Sequence, residues 1–470
     1  MKISISEKLR LAASQFPSPL YLVGGGVRNA LLQVPASDRD VACACSAARA
    51  AEIFGELGWT VCSVYPRLGT LKLREPESGE ELEYTQFRTE RYAAGGGHTP
   101  DSVAFTEDLE ADAKRRDFRI NAIYANAETG EILDPLGGLS DLAERRIRAA
   151  DDPGRVFGSD GLRLLRLVRF CAELGFTPEE KTFAAALACR DNLDDIAPER
   201  IADEMRKICF ADGKYPQLTA AQPTPAHGAG LKLLDELGLL RKILPEITAG
   251  KGMPQRADFH RFDVFGHTVE TFCVSPPEVR IAALLHDVGK PVCYLATGRY
   301  HGHEEAGAPL AREIARRAFG CSKKEAAEIS ELVRLHMTDL KCEMRENKRK
   351  RFLVEHAALA EKLLALKQAD YLGCGLCSGE CPTVTRWRET LAELKRAGTP
   401  FSVRELKIDG RDVTVRRPDL EGRQIAEALE RLWKECVFDG RLNDRERLLE
   451  RLDGIKVGLP AQNRSEKKGL

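Results

Sequence analysis

No apolar run in the 470-residue chain approaches the roughly twenty residues needed to cross a bilayer, so no membrane partner is expected. The opening stretch MKISISEKLRLAAS lacks the apolar core of a secretory signal, and a cytoplasmic location is the expectation. An excess of charge is missing too. The 71 Lys and Arg residues face 72 Asp and Glu, a net charge of −1, so totals neither require nor exclude a nucleic-acid partner and local clusters decide. There is no internal repeat and no low-complexity tract. A disulfide framework is also absent: the 14 cysteines are scattered along a long chain, which reads as reduced thiols. Cys374, Cys377 and Cys381 form C-x2-C-x3-C, with Cys342 or His356 as conceivable fourth zinc ligands. No second C-x-x-C follows at finger-like spacing, so free thiols are expected there.

What the chain does have is a change of texture. The first third mixes short apolar runs with helical stretches: LYLVGGG, RDVACA, TLKLRE and ELEYTQF read as strands. From about Gly158 onward, periods near 3.6 dominate, as in GLRLLRLVRFCAEL and RIADEMRKICF. The expected fold class is α+β, a mixed-sheet head followed by an all-helical remainder.

In the head, Gly24, Gly25 and Gly26 end a strand and precede the helical VRNALLQ. Glycines there let backbone N–H groups approach a phosphate, and the helix start favours anions. Arg28 adds a rigid fork for phosphate oxygens. On its own such a turn is common without a ligand. Asp38 and Asp40 change the reading. Two residues apart on a strand, they share a face, and a divalent cation such as Mg²⁺ converts their repulsion into coordination. Glu83 in ELEYTQF is the candidate third catalytic carboxylate, against a reading as an ordinary exposed strand glutamate.

LVGGGVRNALL with SDRD, then FRTERY, DLEADAKRRDFRINAIY and DPLGGLSDL resemble the class II tRNA nucleotidyltransferase and poly(A) polymerase family over roughly the first 210 residues. The resemblance implies a nucleotidyltransferase-fold head in which Gly25, Arg28 and Arg116 hold the triphosphate and Asp38 and Asp40 bind Mg²⁺. It implies nucleotidyl transfer to an RNA 3′ hydroxyl. The glycine-rich stretch after FRTERY is expected to move, with Arg88, Glu90 and Arg91 as candidates for a change from C to A addition.

Further along, FGSDGLRLLRLVRF places Asp160, Arg163, Arg166 and Arg169 three residues apart on a helix. Cytosine and adenine both present an exocyclic amine beside an unprotonated ring nitrogen. A carboxylate only accepts and a guanidinium only donates, so Asp160 with Arg163 fits those two bases and rejects uracil and guanine. In the resembling family this position reads E-D-x-x-R and acts as a protein template, with the later arginines helping to hold the nucleotide. Here Ser159 stands where that glutamate would be, and Asn29 stands where the family usually has aspartate.

DVFGHTVETF, RIAALLHDVGKP, YHGHEEAG, LVRLHM and LLALKQADYLG resemble the HD phosphohydrolase superfamily. Residues His267, His286, Asp287 and Asp370 match its metal ligands, and His303 and His336 are candidates to extend the site. Imidazole with carboxylate suits a divalent transition metal. The expected organisation is a catalytic head over 1–147, a nucleobase- and RNA-binding neck over 148–215, a helical linker over 216–262, an HD domain over 263–372 and a helical tRNA-binding tail over 373–470. The expected partners are tRNA, at its 3′ end and elbow, with CTP and ATP as substrates and CCA addition as the reaction. A poly(A) polymerase or a partial CC- or A-adding enzyme is the alternative within the class. An HD phosphohydrolase with a passive RNA-binding head is the alternative outside it.

Overall fold

A computed structural model describes residues 1–35, 39–75, 77–91 and 101–455. Asp38, the glycine-rich stretch after Arg91 and the charged C-terminal residues lie outside them. The chain divides into two compact units, Met1–Lys251 with Arg312–Ala326, and Gly252–Ala311 with Ala327–Leu470. Among the described residues, no helix is long and apolar enough to cross a membrane.

The first unit begins as a mixed sheet. Its strands are β1 (Tyr21–Val23), β2 (Arg39–Cys43), β3 (Thr60–Tyr65), β4 (Thr70–Arg74), β5 (Glu81–Gln86), β8 (Tyr124–Asn126) and β9 (Ile132–Leu133). They lie in the order β3-β4-β5-β2-β1-β8-β9. A separate hairpin is formed by β6 (Arg88–Arg91) and β7 (Ser102–Phe105). Strand β2 runs antiparallel to β1 and parallel to β5. A parallel pair needs a crossover. Helix Ala47–Glu56 begins it, capped by the Ser46 side chain and burying Ala50, Ile53 and Phe54. Phe54 meets Tyr84 of β5 edge-on at 6.4 Å, which ties the crossover to the sheet.

RDVACA, TLKLRE and ELEYTQF are β2, β4 and β5, and RINAIYANAETGEILDP resolves into the β8–β9 hairpin. Strand β3 and the β6–β7 hairpin carry no clean strand alternation in the sequence. Strand β3 alternates half-buried and exposed residues with no strongly buried face, because it is the outer strand of the sheet.

Beyond the sheet the first unit is helical. Leu162–Leu174 is its axis, with eleven of its residues buried, and it lies against Pro198–Cys209 and Ala226–Glu236. After helix Pro198–Cys209 the Pro- and Gly-containing stretch from Tyr215 carries helix Pro216–Thr219 and leads into helix Ala226–Glu236. In the second unit, helix Val264–Val274 lies against Ala360–Gly373. The C-terminal helices close a core of their own around Val413, Leu432 and Leu452.

Gly161 joins helix Pro153–Ser159 to helix Leu162–Leu174. A Cβ at Gly161 would stand 2.1 Å from the Asn192 carbonyl oxygen and 2.7 Å from its carbon. Backbone cannot yield as a side chain does, so Gly161→Ala is expected to destabilise the first unit by about 1–3 kcal/mol, read as a lowered denaturant midpoint.

Candidate functional site

Strand β1 stops at Gly24, whose φ of +78° turns the chain into helix Gly25–Leu31. Register explains why a glycine is needed. Val23 faces Asp40 across β1 and β2, and Asp40 faces Glu83 across β2 and β5. A Cβ on Gly24 would stand 3.2 Å from Asp40 Oδ2 and 4.0 Å from Arg116 Nη1. Fold and register thus bring a phosphate-type turn, a carboxylate and a guanidinium to one spot. Glu83 is exposed and stands beside Asp40 on the neighbouring strand. Asp38 falls outside the described residues.

Arg116 is aimed by two neighbours that no sequence motif singles out, Asp112 and Tyr124. Its Nη2 donates to Asp112 Oδ2 at 3.1 Å, its Nε donates to the Tyr124 hydroxyl at 3.1 Å, and that hydroxyl donates to Asp112 at 2.7 Å. Burial alone would raise the Asp112 pKa. The charges of Arg116 and Arg115 with the Tyr124 hydrogen bond overturn this and bring it to about 2.

Arg28, expected to hold phosphate, is 4% exposed and turned inward. Its guanidinium donates to Asn29 Oδ1 at 2.9 and 3.1 Å, to Asn121 Oδ1 at 2.6 Å and to the Tyr215 hydroxyl at 3.4 Å. Burial lowers its pKa, countered by Tyr215 and Glu173. Gly25 lies next to it, its Cβ position 3.6 Å from Arg28 Nη2.

Asp160 and Arg163 are adjacent at the start of helix Leu162–Leu174, 5% and 8% exposed. Asp160 accepts from the Leu162 N–H at 3.0 Å. Burial raises its pKa, opposed by that N–H and by Arg163 and Arg166. Arg163 donates to the Arg115 carbonyl at 2.7 Å and to Ser159 Oγ at 3.2 Å, so the serine still supports the arginine. A cavity of about 560 Å³ opens here, lined by Ser159, Arg163, Arg115, Lys114, Arg155 and Glu90 among others.

Arg166 and Arg169 go elsewhere. Arg166 donates to Asp117 Oδ2 at 2.8 and 2.5 Å, and Arg169 donates to Glu204 Oε2 at 2.7 Å. Both lie over the Phe170 ring, joined there by Arg28, at 5.4, 4.3 and 5.0 Å from its centroid. On the hairpin, Arg88 donates to Glu90 at 2.7 Å and Arg115 reaches the same carboxylate at 3.4 Å. Asp117 and Asn121 lie inside the quoted RRDFRINA block. Their spacing of four on one local turn was the available signal.

The second unit holds a separate cluster. His267, His286 and Asp370 form one triad, and Asp287, His303 and His336 another, with ligand atoms of each within 4.8 Å of one another. His267 and His286 bring their Nε2 atoms to 3.0 Å, and His303 and His336 bring theirs to 3.2 Å. Nδ1 of His286, His303 and His336 lies 2.7, 2.8 and 2.6 Å from a backbone carbonyl, of Ala283, Tyr300 and Val333 respectively. Those carbonyls hold the ring protons on Nδ1 and turn the Nε2 lone pairs inward, the arrangement that metal-binding imidazoles adopt. Burial opposes a proton on His286, but Asp287 and Asp370 lift its pKa to about 10, a field suited to a cation. The residues therefore fit a pair of divalent ions. Lys290 Nζ lies 2.6 Å from Asp287 Oδ2, at the edge of the cluster. Cys374, Cys377 and Cys381 are free thiols.

Residues 20–148 match the family described as Poly A polymerase head domain, 175–215 that described as Probable RNA and SrmB- binding site of polymerase A, and 266–373 the HD domain. The Multifunctional CCA protein of Xanthomonas axonopodis pv. citri (strain 306) is 33% identical over 433 residues, covering 87% of this chain and 96% of that protein. That of Neisseria meningitidis serogroup C / serotype 2a (strain ATCC 700532 / DSM 15464 / FAM18) is 37% identical over 329 residues, 67% of this chain and 71% of the relative. Among solved structures, the Bacillus stearothermophilus CCA-adding enzyme in complex with CTP superposes with a TM-score of 0.64 at 25% identity, covering 95% of both chains. A tRNA nucleotidyltransferase complexed with a primer tRNA and an incoming ATP analog shares the fold, with a TM-score of 0.52 at 18% identity over 83% of this chain and 99% of that one.

Two outcomes are expected. The folded Asp112 carboxyl sits below the ordinary 3.8, so its stabilisation is complete above that value and lost as pH falls toward about 2. Asp112→Asn should cost about 2 kcal/mol near neutrality and flatten the acid limb between about pH 4 and about pH 2, read by denaturant unfolding across that range. In the second unit, a Cβ on Gly373 would stand 2.0 Å from Thr271 Oγ1 and 2.7 Å from Thr271 Cα, between the helices that carry Asp370 and His267. Gly373→Ala should weaken divalent-metal retention by about tenfold or more, measured as bound metal per chain after dialysis.

Proposed function

The chain belongs to the CCA-adding tRNA nucleotidyltransferase and poly(A) polymerase family and is a nucleotidyltransferase, and from that premise we propose that it adds two C residues and one A to the 3′ end of tRNA. The observation that carries this reading is the meeting of Gly24, Asp40 and Arg116 at the end of β1, in the same compact unit as the paired Asp160 and Arg163. The head supplies a place for a triphosphate, and the helical segment supplies a base reader.

Asp40 and Asp38 are the proposed Mg²⁺ ligands, with Glu83 beside Asp40 as the third carboxylate. Bound there, Mg²⁺ supplies positive charge that lowers the pKa of the RNA 3′ hydroxyl and steadies the departing pyrophosphate. Gly24 leaves room for phosphate oxygens next to Asp40. Arg116, held by Asp112 and Tyr124, balances the charge that builds on those oxygens as the 3′ oxygen bonds to the α-phosphorus and the bond from the α-phosphorus to the bridging oxygen breaks, releasing pyrophosphate. Arg28 supports the turn from beneath, since its donors are engaged by Asn29, Asn121 and Tyr215.

Asp160 accepts from the exocyclic amine of cytosine or adenine and Arg163 donates to the ring nitrogen. Uracil and guanine meet acceptor with acceptor and donor with donor, which leaves buried polar groups unpaired. Arg166 and Arg169 are then positioning groups, held by Asp117 and Glu204 behind the reader. The second unit carries a proposed dinuclear divalent-metal centre, and the C-terminal helices are the proposed seat for the tRNA elbow. A cytoplasmic location accords with this reaction.

The test is incubation with a tRNA ending at its discriminator base, Mg²⁺ and single labelled nucleotides. The expected result is two C from CTP and then one A from ATP. Unlimited A addition makes the protein a poly(A) polymerase, and no addition overturns the reading. Asp40→Ala is expected to lower incorporation by about a thousandfold or more while the unfolding midpoint stays near that of the parent.

A further inference from the structure

Asn29 sits on the buried side of helix Gly25–Leu31, 2% exposed, and uses every hydrogen-bonding capacity of its amide. Oδ1 accepts two N–H bonds from Arg28, at 3.1 and 2.9 Å. Nδ2 donates to the Pro35 carbonyl at 3.0 Å and to the Tyr215 hydroxyl at 2.9 Å. The amide has one chemically acceptable orientation. Turned over, it would set an N–H against the Arg28 donors and an oxygen against the Pro35 carbonyl.

Three separate stretches meet at this one side chain. Pro35 lies on the return from helix Gly25–Leu31 toward β2, whose second residue is Asp40. Tyr215, 3% exposed, lies 186 residues along the chain, just before helix Pro216–Thr219. Arg28 lies over Phe170 of the helix that begins with the base reader. A buried side chain that joins three segments fixes their spacing more tightly than apolar contact does, because leaving any arm unpaired has a direct desolvation cost.

We propose that Asn29 is a positioning residue for nucleotidyl transfer: its amide latches the Tyr215 segment to the phosphate turn and to the approach to β2, and so sets the Asp40 strand against the turn that receives the triphosphate. An aspartate at this position accepts but does not donate. It keeps Arg28 and can accept a hydrogen bond donated by the Tyr215 hydroxyl, but it opposes the Pro35 carbonyl with a second acceptor. Asn29→Asp therefore breaks the Pro35 arm, and Tyr215→Phe removes the other arm while keeping the ring.

The inference rests on the transfer reading, so the experiment has two readouts on the full-length protein. The first is hydrogen exchange. Amides of helix Gly25–Leu31 and of β2 are expected to exchange faster in both variants, with those of the second unit unchanged. The second is steady-state incorporation from CTP. Here kcat, taken per folded chain after correction for the native fraction measured by denaturant unfolding, is expected to fall about tenfold or more in each variant with KM for CTP moved by less than about twofold, the split that misalignment produces. The double variant should lose less than the product of the two single losses. Unchanged exchange around the turn, or kcat within about twofold of the parent in both variants, overturns the latch. A parent protein that extends no RNA overturns the transfer reading alone, and the exchange arm still decides whether Asn29 holds the turn.

Discussion

At the end of β1 the chain has to turn inside the space that a side chain would occupy, because the Asp40 carboxylate stands 3.2 Å from that point. Everything else in the head follows from keeping this contact. The glycine turn starts a helix, that helix carries Arg28 and Asn29 into the interior, and the sheet order places β2 beside both β1 and β5. A carboxylate at the middle of a sheet is costly unless cations oppose it. Arg116 is one such cation, and Asp112 and Tyr124 hold it in place.

The first unit is organised around guanidinium groups whose partners are chosen in different ways. Arg116 and Arg166 are held by buried carboxylates. Arg28 is held by amide and hydroxyl oxygens, and Arg163 by backbone carbonyls and the Ser159 hydroxyl. Carboxylate partners offset the guanidinium charge directly, as Asp112 does for Arg116 and Asp117 for Arg166, and neutral partners fix its orientation without doing so. Ser159 and Asn29 are both among these neutral partners.

The histidine–aspartate cluster of the second unit obeys a different logic. Three of its imidazoles have their protons fixed by backbone carbonyls, so the direction of the lone pairs is set by helix geometry rather than by an ion. Glycines permit the approach. A Cβ on Gly289 would stand 2.1 Å from the His303 carbonyl oxygen, just as one on Gly373 would collide with Thr271.

The sequence by itself determined the residue types and their local register. A mixed-sheet head before a helical remainder, the glycine turn, Asp40 and the Asp160–Arg163 pair were legible because each depends on a local pattern or short spacing, and the histidine–aspartate cluster, spread over residues 267–370, was legible only through its short motifs. Only the tertiary structure decided what those residues face. It sent Arg28 inward to Asn29 and Tyr215, Arg166 to Asp117 and Arg169 to Glu204, and it set Asp112 and Tyr124 behind Arg116. The reason is physical. A helical or strand period states which side chains share a face. The partner that satisfies a buried charge comes from wherever the fold brings an oxygen within about 3 Å, and that distance is not written in the spacing.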